Sequence, residues 1–190
     1  MEILENLGIP YNINWTTSRS VSIKINKNGL KLNIGENVPV EFIDSFLSKK
    51  KFWIKDNWRK YESARNTYLY LGKEIAGPID KEYYHNETRR IVEGLVKLRN
   101  IDNKFKINNI FIKSQKTRWG SCSSKGNLNF NWKLAMAPPE VIEYVVIHEL
   151  CHRLEMNHSK KFWNHVKIMC PNYKTHKKWL KDNHFRLTIW

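Results

Sequence analysis

The stretch VVIHELCHRLEMNHSKKFW, residues 145–163, sets three histidines, two glutamates and a cysteine within the eleven residues 148–158. Its first half is the pattern His148-Glu149-Leu150-Cys151-His152. An apolar run, VIEYVVI at 141–147, leads into it, and Pro138 and Pro139 suit the first turn of a helix that carries both. On a helix, positions i and i+4 share a face, so His148 and His152 can present their rings to one ion. Neutral imidazole suits Zn²⁺ at about 2.0–2.1 Å. Glu149, beside the first ligand, can reach a metal-bound water and serve as general base. The bland alternative is a buried helix with two satisfied histidines. It leaves a glutamate unexplained in an otherwise apolar segment.

A catalytic zinc needs a third protein ligand and an open position for water. Glu155 and Asp182 are the carboxylates downstream of His152. If the helix ran on to Met156-Asn157, Glu155 would stand about 10 Å along the axis from His148 and could not converge with it. Asp182 lies in a lysine-rich segment. The third ligand is therefore expected to be a histidine. His158 leads, because Asn157 tolerates the left-handed backbone of a C-terminal cap, after which the chain can turn back. His165 is the runner-up, while His176 and His184 read as surface residues. Cys151 points about 100° away from His152 around the helix and reads as a small core residue. Cys122 belongs near the cleft.

Around this stretch, NNIFIKSQ reads as a strand and KTRWGSCSSKGNLNFNWKLAM as a hairpin turning at SCSSKG. Ser159 is a good N-cap for a following helix, and PNYKTHKKWLKDN forms a last basic one. Upstream, KEYYHNETRRIVEGLVKLRN is helical, with Tyr84, Thr88, Ile91, Leu95 and Leu98 along one side. TYLYLGKEI reads as one short strand ending at Gly72. The N-terminal part begins with a hairpin, RSVSIKINKNGLKLNIG, turning at Asn28-Gly29. From Pro39 a helix follows whose stripe is Ile43, Phe46, Lys50, Trp53 and Asn57, broadened by Phe42, Leu47, Ile54 and Trp58. Its aromatics are expected in the core. A boundary near residue 78 would divide a lobe at 1–78 from a catalytic lobe at 79–190 within one domain.

The 190 residues carry a net charge of +15 with a sequence pI of about 9.7. Such a balance suits contact with a polyanion. Lysine, asparagine and isoleucine are together so abundant that an AT-rich coding bias explains the charge equally well. No apolar run is long enough to span a membrane, and the first residues lack the pattern of a signal peptide. Three cysteines, Cys122, Cys151 and Cys170, are odd in number and far apart, which favours free thiols and a cytoplasmic setting.

TRWGSC, NLNFNWKLAMAP, YVVIHELCH and NHSKKFW, in this order and spacing, resemble the YgjP-like metal-dependent hydrolases, a metallopeptidase-like family. The N-terminal hairpin and FWIKDNW are similar too. The resemblance implies an α+β, zincin-like fold. In it the active-site helix packs on a small, mostly antiparallel sheet whose edge strand borders the cleft, and a β-hairpin/helix lobe precedes them. It matches His148, His152 and His158 to the ligands of one Zn²⁺ per chain and Glu149 to the catalytic glutamate. Arg118, Trp119, Gly120, Ser121 and Cys122 match the motif beside the cleft, where Arg118, Trp119, Ser121 and Cys122 would contact substrate. Arg118 could grip phosphate by its planar fork or stand in a structural ion pair. For Trp119 and Trp163, packing is the leading reading.

The bond cleaved is left open. Likeness to zincins implies a peptide. Family members have also been connected with hydrolysis of nucleoside triphosphates, UTP especially, to monophosphate and pyrophosphate. A third reading is a non-enzymatic, nucleic-acid-associated zinc module, although structural sites usually close four protein ligands.

Overall fold

The first third of the chain and the rest each bury their own apolar residues. The computed structural model describes residues 2–26, 28–64, 67–76 and 79–187. By its internal contacts the chain forms two units, Met1–Asn66 and Thr67–Thr188. The boundary expected near residue 78 lies outside the described residues.

In the first unit a one-turn helix, α1 (Glu2–Glu5), precedes three strands, β1 (Tyr11–Thr16), β2 (Val21–Asn26) and β3 (Gly29–Gly35), and a long helix, α2 (Val40–Ala64). β3 is central, antiparallel to β2 and parallel to β1. Alternation puts Leu30, Leu32 and Ile34 on one face, where they pack against Ile43, Leu47 and Ile54 of α2. The expected hairpin is present, but its turn falls one residue earlier than Asn28-Gly29. Asn26 pairs with Gly29, leaving positions 27 and 28 between the strands; Lys27 lies outside the described residues. Gly29 has another task. Its φ is 116°, a Cβ there would strike the carbonyl of Pro10, and the next amide, Leu30 N–H, donates to that carbonyl at 2.8 Å. The glycine thus admits β1, a strand not among the sequence expectations although YNINWT alternates apolar and polar residues.

α2 buries a row rotated from the expected one. Ile43, Leu47 and Ile54 are buried and Trp58 packs beside them. Phe42 and Trp53, expected in the core, are 56% and 45% exposed, and Phe52 is 86% exposed. The apolar residues of this helix form two rows, and only the row with aliphatic residues meets the sheet.

The second unit opens with β4 (Tyr68–Tyr70) and β5 (Lys73–Ile75), an antiparallel pair where one strand was expected. Leu71 (φ 49°) and Gly72 (φ 79°) form its turn. A leucine gives no signal for a left-handed position. This one is held from outside, since Leu71 N–H donates to Ala135 O at 2.9 Å and Gly72 N–H to Met136 O at 3.0 Å. α3 (Lys81–Arg99) begins at Asp80, whose side chain accepts from Tyr83 N–H at 2.7 Å. Its buried line is Tyr84, Thr88, Val92 and Val96, so the expected Leu98 faces solvent at 57% exposure.

Three further strands follow, β6 (Ile110–Lys113), β7 (Gly120–Cys122) and β8 (Leu128–Asn131), then a 3₁₀ segment, Trp132–Met136. β8 is central, parallel to β6 and antiparallel to β7, so this sheet is mixed rather than mostly antiparallel as expected, and β7 is an edge. Thr88 fastens α3 to the 3₁₀ segment, donating to Trp132 O at 2.6 Å and accepting from Ala135 N–H at 3.2 Å.

The remaining helices are α4 (Pro139–Cys151), α5 (Lys160–Met169), α6 (Tyr173–Asp182) and α7 (His184–Leu187). α4 is apolar on nearly every side, burying Val141, Ile142, Val145, Val146, Ile147 and Leu150, as a central helix must. It packs against α3, α5, α6 and the edge strand β7. The architecture is α+β, with the motif-bearing helix laid on a small sheet as expected. Among the described residues no helix is long and apolar enough to cross a membrane.

Candidate active site

α4 stops sooner than its sequence suggests, at Cys151 rather than Met156, with His152 as the C-cap. The next residues turn tightly, with Leu154 and Glu155 N–H both donating to Cys151 O at 3.0 Å. His152 Nδ1 lies 3.1 Å from Glu155 O. A carbonyl only accepts, so Nδ1 carries the proton and the Nε2 lone pair is free to bind. Glu155 thus meets the site through its backbone and orients a histidine. Asn157 Oδ1 then accepts from Ser159 N–H at 2.9 Å, and Ser159 Oγ caps α5 by accepting from Phe162 N–H at 3.3 Å. This reversal returns His158 to α4, where its Nε2 is 3.1 Å from His148 Nε2.

One ligand nitrogen from each of His148, His152 and His158 lies within 4.8 Å of the others. His165, half-buried on α5, is not in this group. Two nitrogens each about 2.0–2.1 Å from a tetrahedral ion stand about 3.3 Å apart, close to the His148–His158 spacing. The donors therefore fit a single metal. Phe162 forms the floor, stacked on His152 at 4.5 Å and edge-on to His148 and His158 at 4.9 and 4.8 Å. Trp163 stacks on His158 at 5.7 Å and on Tyr173 at 5.3 Å. Burial pushes the His148 imidazole down to about 3, with His152, His158 and Lys177 adding to it, and burial likewise lowers His152. Neutral rings are what metal binding requires.

Glu149 is 4% exposed and lies against β7. A Cβ on Gly120 would stand 2.6 Å from its Oε1 and 2.8 Å from its Cγ. Its Oε2 is buried with no hydrogen-bond partner. Burial pushes its carboxyl up to about 8, against the pull of Arg118. Without a cation beside it this carboxyl stays largely protonated near neutrality, and a cation held by the neighbouring histidines would favour the carboxylate that a general base must be. Gly120→Ala is expected to preserve the secondary structure, seen by circular dichroism, and to lower turnover at least about tenfold, because a carboxylate displaced by an ångström loses its alignment. Wild-type turnover in that variant would show that the contact is loose.

A cleft of about 490 Å³ opens over these groups. Arg118, Trp119, Gly120, Ser121 and Cys122 form one wall, with His148, Glu149, His152 and His158 opposite. Arg118 is exposed and makes no ion pair among the described residues. Trp119 is half-buried in the wall rather than in a core, and Trp163 stands behind His158. Burial raises the Cys122 thiol above its ordinary range, so it is not a poised thiolate.

Two residues hold this wall that sequence reading passed over. Buried Asn131 donates to Gln115 O at 2.8 Å and Arg118 O at 3.0 Å. Arg153 reaches Lys106 O at 2.9 Å, Ser123 O at 3.2 Å and Ser124 O at 3.1 Å, pinning the turn after β7. The cleft also takes Tyr144, Met156 and Leu180, which carried no signal beyond hydrophobicity.

Three neutral imidazoles converging beside a buried carboxylate, open to a cleft, are the parts of a metal-dependent hydrolase. The family described as YgjP-like, metallopeptidase domain, matches residues 79–183, more than half of the chain, and the chain belongs to it. Solved structures to which it is partly similar include the metallopeptidase zymogen of Pyrococcus abyssi abylysin, at 21% identity and a TM-score of 0.43, covering 48% of this chain and 93% of that one. Another is the metallopeptidase zymogen of Methanocaldococcus jannaschii jannalysin, at 26% identity and a TM-score of 0.37, covering 48% and 94%. No curated protein matches the chain.

Proposed function

We propose that the chain is a zinc-dependent peptide hydrolase whose chemistry is confined to the lobe at 79–190. His148, His152 and His158 hold one Zn²⁺ and Glu149 is the general base. The observation that carries this reading is the convergence of the three rings beside the unpartnered Glu149 Oε2. When bound, the ion supplies Lewis acidity, lowering the pKa of water and polarising the bond attacked.

The chain's own residues do the rest. Glu149 Oε2 accepts the proton of the attacking water and returns it to the leaving amine. Gly120 leaves the room that fixes the carboxylate. The outer edge of β7 pairs with an extended substrate, a common mode of peptide recognition. Arg118 offers a cation over the cleft for charge that develops on the substrate, Trp119 packs against a side chain, and Ser121 and Cys122 form the far wall. Three unpaired thiols suit work in the cytoplasm.

The test is protein purified without added metal, assayed on casein-type peptides and on all four nucleoside triphosphates, as wild type and as Glu149→Ala. The expected result is close to one zinc per chain by elemental analysis and peptide cleavage that requires Glu149. Glu149-dependent cleavage of UTP without peptide cleavage would replace the substrate. Zinc bound with no Glu149-dependent turnover of either would leave a non-enzymatic module.

A further inference from the structure

Beside the cleft lies a second cavity of about 550 Å³, walled by Trp119, Tyr144, Lys177, Leu180, Lys181 and His184. Trp119, Tyr144 and Leu180 also line the cleft, so a substrate at the metal-binding site reaches this cavity across one shared wall. Ring contacts flank the wall on both sides. Trp119 meets His184 edge-on at 5.8 Å, and Tyr144 packs against His148 at 6.0 Å and His176 at 6.3 Å.

The charge of the cavity is one-sided. No carboxylate lines it among the described residues. Lys177 and Lys181 stand one turn apart on α6, and like charges at that spacing destabilise a helix. The same helix shows the usual remedy elsewhere, since Lys178 is paired with Asp182 at i,i+4. Lys177 and Lys181 are in no ion pair among the described residues. Lys177 instead lies over the Trp163 ring, 4.5 Å from its centroid, which draws its ammonium toward the side of the site. A third cation, Lys133, acts on His184, whose imidazole is lowered by burial first and then by that charge. Two lysines with no carboxylate partner among the described residues, beside Trp119, Tyr144 and Leu180, complement a group with an apolar stem and a negative end.

We propose that this second cavity is a specificity subsite that takes an acidic side chain of the polypeptide substrate, its carboxylate at Lys177 and Lys181 and its stem on Trp119, Tyr144 and Leu180. The subsite rests on the peptidase reading for its purpose, but its occupancy is measurable without catalysis. It gives part of the +15 charge a use, by favouring acidic segments at the site.

The experiment uses full-length Glu149→Gln protein, metal-free, and fluorescein-labelled peptides identical except for one glutamate, glutamine or lysine. Binding is followed by anisotropy. The glutamate peptide is expected to bind about tenfold tighter than the glutamine peptide, as two exposed ion pairs within the ordinary range would give, and the gap should narrow with salt. Lys177→Glu with Lys181→Glu reverses the order so that the lysine peptide binds best. Lys181→Gln alone, which leaves the helix less altered, narrows the preference. Lys167→Glu, at an exposed position of α5 that lines neither cavity, preserves it. Equal affinity for the three peptides, or an order unchanged in the double variant, overturns the proposal. So does binding of inorganic triphosphate together with no binding of any of the three peptides. If the glutamate peptide binds as expected and wild-type zinc protein cleaves nothing, the subsite stands and the peptidase reading fails. If neutral peptides are cleaved and the preference is absent, the reverse holds.

Discussion

Replacing Glu149 by glutamine is expected to leave metal content at the wild-type level while turnover falls by about 10²–10⁴-fold, the usual contribution of general-base assistance. The amide is nearly isosteric, so it fits the space against Gly120 where an added Cβ would come within 2.6 Å of Oε1. What it lacks is the ability to take a proton. The substitution should also alter stability in a pH-dependent way in the metal-free protein. Burial raises the folded-state carboxyl to about 8, above the ordinary range it has when unfolded. The folded state therefore binds more protons than the unfolded one between those values, and stability falls as pH rises through that window. Glutamine removes this loss. Metal-free Glu149→Gln should thus match wild type near pH 4 and exceed its melting temperature at pH 8 and above. Intact metal with wild-type turnover would remove Glu149 from the chemistry. Equal melting temperatures at pH 8 would mean that the carboxylate is better solvated than its burial implies.

The parts of this site visible in the sequence are those set by local spacing. His148 and His152 share a face because a helix brings i and i+4 together, and Glu149 follows from adjacency. The path to His158 was visible only in outcome. The helix was expected to break at Met156-Asn157, yet it ends at Cys151, because His152 Nδ1 takes the Glu155 carbonyl and pulls the chain into a turn. Nothing in RLEM, a run of good helix formers, announces that competition. The same holds for the cleft wall. Asn131 and Arg153 act on backbone carbonyls 13 to 47 residues away, and no periodicity encodes such a contact. In the N-terminal unit the alternation of β2 and β3 was plain. β1 alternates too, with Tyr11, Ile13 and Trp15 between Asn12, Asn14 and Thr16, but its pairing is not local: it lies parallel to β3, across β2 in the chain, and no turn signal links the two. On α2 two apolar rows compete, and sequence alone does not say which one the sheet will cover.

His158→Ala is expected to weaken zinc binding by at least about 100-fold, beyond the 10–100-fold typical of removing a group that merely orients a ligand. His165→Ala should leave it unchanged. His148 and His152 are fixed by a helix end and by the Phe162 ring, so they would remain as a two-ligand remnant. His158 sits on an exposed turn, and its loss removes little from the core, so the metal-free variant should melt close to the metal-free wild type. The difference belongs to the bound state. A ligand at 100 times its dissociation constant stabilises a fold by about 2.7 kcal/mol, and His158→Ala should forfeit most of that increment at the same zinc concentration. Competition against a chelator of known affinity measures the first quantity and thermal melts with and without zinc the second. Full zinc in His158→Ala together with loss in His165→Ala would transfer the third ligand to α5. The end of the turn, residues 156–158, has the most to gain from the metal, because the backbone bonds to α4 among the described residues come from Arg153, Leu154 and Glu155. Amide exchange there should slow on zinc binding in wild type and stay fast in His158→Ala, while the interior of α4 is protected in both.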